Sequence, residues 1–171
     1  MRIRHAVAAA GACAAALFSL TGCTVPTAGA TGIAVTEDGK PFGMLMVCHG
    51  HIDGATLYTE TTGDESETVA RWSHARPLTE FVTWPLATGG DGWSVGHPMP
   101  KALEQRRSYT LYGWTEDSSW STGDVSFTLA DLAKLSPGQV RYFAGDVRGA
   151  DRDGYRTASF EEFRTDACKD V

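Results

Sequence analysis

The sequence predicts an all-β protein, a single antiparallel β-sandwich with one short helix near residues 130–135. Two observations predict it. Short runs rich in β-branched and aromatic residues recur along the chain, and Gly, Pro and Asp turn signals punctuate them about every 8–12 residues. No long segment keeps the apolar spacing of about 3.6 residues that an extended amphipathic helix requires.

The N-terminus comes first in chain order. Arg2, Arg4 and His5 give a positive start, Ala6 to Leu20 is an apolar run without charge, and Thr21-Gly22-Cys23 closes it with small residues. These three zones describe a secretory signal peptide. The apolar run is shorter than the about 20 residues that a membrane-spanning helix needs. A buried helix is the alternative, but an Ala-rich helix that is apolar on every side needs a large core to hide in.

Leu20-Thr21-Gly22-Cys23 resembles the lipobox of bacterial lipoproteins: an aliphatic residue, a small residue, Gly or Ala, then Cys. The resemblance implies cleavage before Cys23 and a diacylglyceryl thioether on its sulfur. The Ala-rich signal and the Gly- and Asp-rich remainder are similar to the small lipoproteins of GC-rich actinobacteria. The expected organisation is therefore a signal over 1–22, a tether over 23–31 and a sandwich over 32–171, standing on the outer face of the cytoplasmic membrane. Ordinary secretory cleavage near Ala28–Ala30 is the alternative.

Removing residues 1–22 from 171 leaves 149, the length of one domain with one core. Arg2 and Arg4 leave with the signal, so thirteen basic residues face twenty-one acidic ones, a balance of −8. Such a domain is repelled by nucleic acid and by anionic lipid headgroups, and no nucleic-acid partner is expected. Cys13 leaves with the signal and Cys23 carries the lipid. Cys48 and Cys168 remain, and in an oxidising compartment they are expected to form one disulfide.

Thr24 to Thr31 is small and polar and reads as tether. Ile33 to Thr36 is a short strand, and Glu37-Asp38-Gly39-Lys40 a turn. Phe42 to His51 reads as the next strand, with Leu45, Val47, His49 and His51 on one face. Asp53-Gly54 reads as a tight turn before Ala55 to Glu60. Val69 to Trp72, Leu78 to Trp84, Arg107 to Thr115, Val125 to Leu129 and Val140 to Ala144 are further strands. Pro85 to Pro100 reads as a Gly/Pro-rich loop around Trp93, and Tyr155 to Phe163 as the last strand. Leu135-Ser136-Pro137-Gly138 is similar to the L-x-P-G turn of fibronectin-III and immunoglobulin-like domains, which implies an immunoglobulin-like sandwich. That family usually places Tyr six residues after the Leu, where this chain has Arg141.

Candidate chemistry is sparse. Gly92-Trp93-Ser94-Val95-Gly96 matches G-x-S-x-G, which would make Ser94 a hydrolase nucleophile if a strand preceded it and a helix followed. Only His97 follows it closely, directly before Pro98. His49, His51 and Asp53 form H-x-H-x-D, and on a strand the two imidazoles would project side by side as a metal pair, with His74 or His97 to complete it. Of the five tryptophans, Trp93 in its Gly-rich setting is expected at a loop tip, where it could grip a ligand. Asp151-Arg152-Asp153-Gly154 is similar to the start of a calcium loop but lacks the closing Glu. No phosphate-binding Gly loop, H-E-x-x-H or paired-cysteine zinc motif occurs, so no cofactor is expected. The resulting expectation is a non-enzymatic, membrane-anchored lipoprotein that binds a protein or cell-wall partner. A metal-binding lipoprotein is the alternative, and a Ser94 hydrolase the third reading.

Overall fold

A computed structural model describes residues 24–61, 65–145, 147–169 and 171. The signal and Leu20-Thr21-Gly22-Cys23 lie outside the described residues.

The chain is mostly β, as its sequence predicts. Eleven strands join one hydrogen-bonded sheet that curves into a nearly closed barrel, where two separate sheets were expected. The strands are β1 (Thr27–Val35), β2 (Pro41–Val47), β3 (Ile52–Glu60), β4 (Ser66–Leu78), β5 (Val82–Pro85) and β6 (Trp93–His97). They continue with β7 (Tyr109–Trp114), β8 (Ser121–Gly123), β9 (Val125–Phe127), β10 (Gln139–Phe143) and β11 (Tyr155–Ser159). Pairing runs β5-β2-β1-β8-β7-β3-β4-β6, and β1 to β8 is its parallel step. The two ends, β5 and β6, are bridged by side chains. Trp84 stacks on Trp93 with ring centroids 4.6 Å apart, and Trp72 meets Trp84 edge-on.

β1 explains why the sheet does not split into two layers. It pairs with β2 along one edge; along the other, its first half pairs with β8 and its second half with β10. Every residue from Ala28 to Val35 is buried. Ile33 and Val35 face the barrel core, while Ala30 and Ala34 face a second, smaller core under β10, β11 and the C-terminal helix. A strand covered on both faces needs small residues where neighbours come close. A Cβ on Gly32 would overlap the Val140 side chain, and one on Gly29 the Met46 carbonyl. The polar-looking TAGATG stretch is therefore the middle of the sheet, and the tether expected over 23–31 ends before Thr27.

Two other departures have local causes. Asp53 and Gly54 lie within β3, and the reversal after β2 falls at residues 48–51, where Gly50 takes φ +58° beneath the Trp120 indole. Two helices form where one was expected. The first, α1 (Leu129–Leu132), is capped by Thr128 and Asp131. The second, α2 (Phe160–Asp166), replaces the latter half of the expected last strand. Ser159 and Glu162 form a reciprocal capping box there, which satisfies two backbone donors that an extended chain would leave to solvent.

Candidate functional site

The arm formed by β10, β11 and α2 packs against β1 and leaves a cleft of about 600 Å³ between them. β10 and β11 pair in antiparallel register, with Tyr142 opposite Arg156 and Val140 opposite Ala158. Phe163, fully buried on α2, meets the Tyr142 ring edge-on at 5.1 Å. Beyond α2 the chain is drawn back by the Cys48–Cys168 disulfide, which spans 120 residues of sequence. The bond ties the end of β2 to the C-terminal segment, as the cysteine count predicts.

One wall of the cleft is β1 at Thr27, Gly29 and Ala30. The other carries Tyr142, Phe143 and Ala144 from the end of β10, with Val147 and Arg148 from the following loop. Asp166, Ala167, Lys169 and Val171 close the C-terminal side. This volume lies within the range of small-molecule sites.

Its chemistry is mixed. Arg156 reaches Asp166 at 3.0 Å and Glu162 at 3.3 Å, and Lys169 reaches Asp166 at 2.6 Å. The Lys169 ammonium, followed by Arg156, holds the Asp166 carboxyl below the usual range despite partial burial. Tyr142 is only 2% exposed, and its hydroxyl finds no hydrogen-bond partner among the described residues. Burial pushes its pKa up, against the opposing pull of Arg156, so the group is a neutral phenol at neutral pH. The other buried donors without a described acceptor, Trp72 Nε1 and Trp84 Nε1, belong to tryptophans of the barrel core.

A second cleft, of about 540 Å³, lies beside the β1–β2 turn and α1. Its lining includes Met99, Leu103 and Leu132, which belong to or pack against the barrel core, and among the described residues no unpartnered buried polar atom lines it. The cleft on β1 and the arm is therefore the better candidate.

The residues singled out from sequence are scattered. His49 and His51 lie in the reversal between β2 and β3, so no strand presents them side by side. His49 Nε2 is 3.3 Å from the Val171 carbonyl oxygen, and His51 Nε2 is 3.5 Å from Asp53. Asp53 itself accepts the Glu116 backbone N–H at 3.0 Å. His74 Nδ1 approaches the Arg76 carbonyl at 2.7 Å, and His97 ends β6 opposite Arg71. Among the described residues, no three His, Cys, Asp or Glu side chains converge to hold a metal ion.

Ser94 is exposed on β6 and pairs with Ser73; strand continues through His97 and no helix follows, so the nucleophile elbow is not built. Trp93 is a core residue at 8% exposure, not a loop tip, because it begins a strand and stacks on Trp84. The Asp151 carboxylate turns onto the backbone N–H groups of Asp153 and Tyr155 and pairs with Arg141, a closed turn.

Tyr142, Arg148 and Arg156 escaped the sequence reading, since each looks like an ordinary strand or loop residue. One signal was present: Ser159-Phe160-Glu161-Glu162 is a capping-box pattern, and with Cys168 beyond it the pattern announces a helix pinned back onto the sheet. Compared with protein-family models, curated proteins and solved structures, the chain finds no significant match.

Proposed function

We propose that the protein is a lipoprotein anchored through Cys23 to the outer face of the cytoplasmic membrane, and that it acts there as a non-enzymatic binding domain. The observation that carries this reading is Leu20-Thr21-Gly22-Cys23 placed directly after an uncharged apolar run. The Cys48–Cys168 disulfide suits an oxidising compartment. The position of β1 also supports cleavage before Cys23. Cutting near Ala28–Ala30 would remove the part of the strand that pairs with β8 and begins the ladder with β2. A cut before Cys23 leaves all of β1 and a short tether.

The binding site in this reading is the cleft between β1 and the β10-β11-α2 arm, with Arg148, Arg156, Asp166 and Lys169 as its charged lining. The test is fractionation and intact mass of protein taken from its own membrane. The expected mass is that of Cys23–Val171 plus a diacylglyceryl group and minus two hydrogens, with Cys23→Ser moving the protein out of the membrane fraction. A wild-type chain that begins near Ala30, or a Cys23→Ser variant that is still processed and stays fully membrane-bound, would overturn the anchor.

A further inference from the structure

We propose that the outer face of β3, β4 and β7 binds a carboxylate-bearing glycan of the cell wall, with the Arg71 guanidinium on the carboxylate and the Tyr58 and Tyr112 rings against the sugars. This surface is separate from the cleft. The choice of a wall glycan rests on the anchor reading, which stands the domain between membrane and wall.

Aromatic placement is the first reason. Ala55, Leu57 and Leu111 belong to the barrel core, so their alternating neighbours on β3 and β7 point outward. Register sets Thr56 beside both Arg71 and Tyr112, Gly54 beside Trp114, and Tyr58 beside Thr68 and Thr110. Tyr58, Tyr112 and Trp114 thus share one outer face, and they belong to neither hydrophobic core. Tyr58 and Tyr112 are half-buried and meet edge-on at 5.8 Å. Rings with an apolar body and a polar tip suit a ligand that is itself amphipathic, as a pyranose is, with C–H faces and a hydroxyl rim.

The second reason is a cation held in place and left unneutralised. The Trp114 ring covers Gly54, where a Cβ would overlap it, and its Nε1 donates to Thr56 Oγ1 at 2.8 Å. The exposed Arg71 guanidinium lies over that fixed ring, 4.2 Å from its centroid. Among the described residues no carboxylate, that of Glu116 in the turn after β7 included, comes within ion-pair distance of Arg71. A guanidinium positioned in this way offers a carboxylate its fork of donors with less entropy to lose. The carboxylates of Glu60 and Asp124 stand at the other end, beside Tyr58, and both push its pKa up. They set the direction of the ligand: its carboxylate towards Arg71, its hydroxyl and amide donors towards Tyr58. The chain's net negative charge opposes a polyanion at long range, but at physiological salt that field decays over about 8 Å, and a carboxylate at Arg71 meets the local cation.

The full chain, purified from its membrane in detergent, is sedimented with peptidoglycan sacculi that protease and mild acid have stripped of proteins and attached polymers. Chitin, an acetylated glycan without carboxylates, is the control. The expected result is sedimentation with sacculi and not with chitin. Arg71→Gln should weaken it about tenfold and Tyr58→Thr severalfold, each with cooperative unfolding retained. Arg71→Lys keeps the charge but not the fork and should recover little of the loss. Equal binding to chitin, no binding to sacculi, or binding unchanged by Arg71→Gln would overturn the surface. Binding to crude sacculi that the protease step abolishes would make the partner a protein and overturn the glycan. The intact mass of the same sample separates this claim from the anchor. A chain that carries the diacylglyceryl group and does not sediment removes the glycan surface alone, and a chain without that group that sediments through Arg71 removes the anchor alone.

Discussion

Removing the disulfide by Cys48→Ala together with Cys168→Ala should cost this domain about 5 kcal/mol. The bond closes a sequence separation of 120 residues. In the chain-entropy model a loop of that length restricts the unfolded ensemble by about 16 cal/mol/K, or about 5 kcal/mol at 25 °C. A domain of about 145 residues unfolds with an entropy of roughly 0.3 kcal/mol/K near its midpoint, so the melting temperature should fall by about 15 °C. Near-ultraviolet circular dichroism is the suitable assay, because Trp72, Trp84 and Trp93 are buried together and their signal reports core packing. Reducing the wild-type protein should reproduce the shift. A fall of less than about 3 °C would refute the reasoning. It would mean that the C-terminal segment is not part of the cooperative unit and that α2 is held well enough by Phe163 and the Arg156 ion pairs without the covalent tie.

Two further outcomes follow from the packing and the charges. Trp84→Ala removes a fully buried indole that bridges the sheet's two ends and should destabilise by about 3–5 kcal/mol in urea unfolding; a loss under about 1 kcal/mol would show that the Trp84–Trp93 stack does not close the barrel. Acid should destabilise the protein only below about pH 4. Glu162 is held below its usual pKa by the Ser159 backbone N–H and hydroxyl, and Asp166 by Lys169 and Arg156. Groups with lowered folded pKa values contribute stability above the unfolded value and lose it as pH falls through the folded one. Melting temperature should therefore be level from about pH 7 to 5 and fall beneath pH 4, and a steady decline already between 7 and 5 would contradict the assignment.

Much of the strand inventory was legible because β-branched and aromatic runs between turn residues report a local preference. Tyr109–Trp114, Val125–Phe127 and Gln139–Phe143 form close to where those runs place them. The helix after Thr128 was legible, although it begins one residue before and ends three residues before the expected 130–135, and the pairing of Cys48 with Cys168 followed from counting. The errors share one origin. Thr27–Thr31 looks like tether because Gly, Ala and Thr are small and weakly apolar, yet small residues are what a strand covered on both faces requires. Trp93 looks like a loop tip because glycines precede it, yet Gly92 takes φ +80° to turn the chain and deliver the indole onto Trp84.

By itself the sequence determined the acidic composition, the β class and the disulfide, because each depends on residue type, count or local periodicity. Only the tertiary structure decided that the strands close one curved sheet, that His49 and His51 sit in a turn, and that Tyr142, Phe143 and Arg148 meet β1 at a cleft. Those features depend on which strands pair across about 100 residues of chain, as β1 does with β8 and β10. Register between distant strands is set by how whole faces fit together, and a single sequence carries no local signal for it.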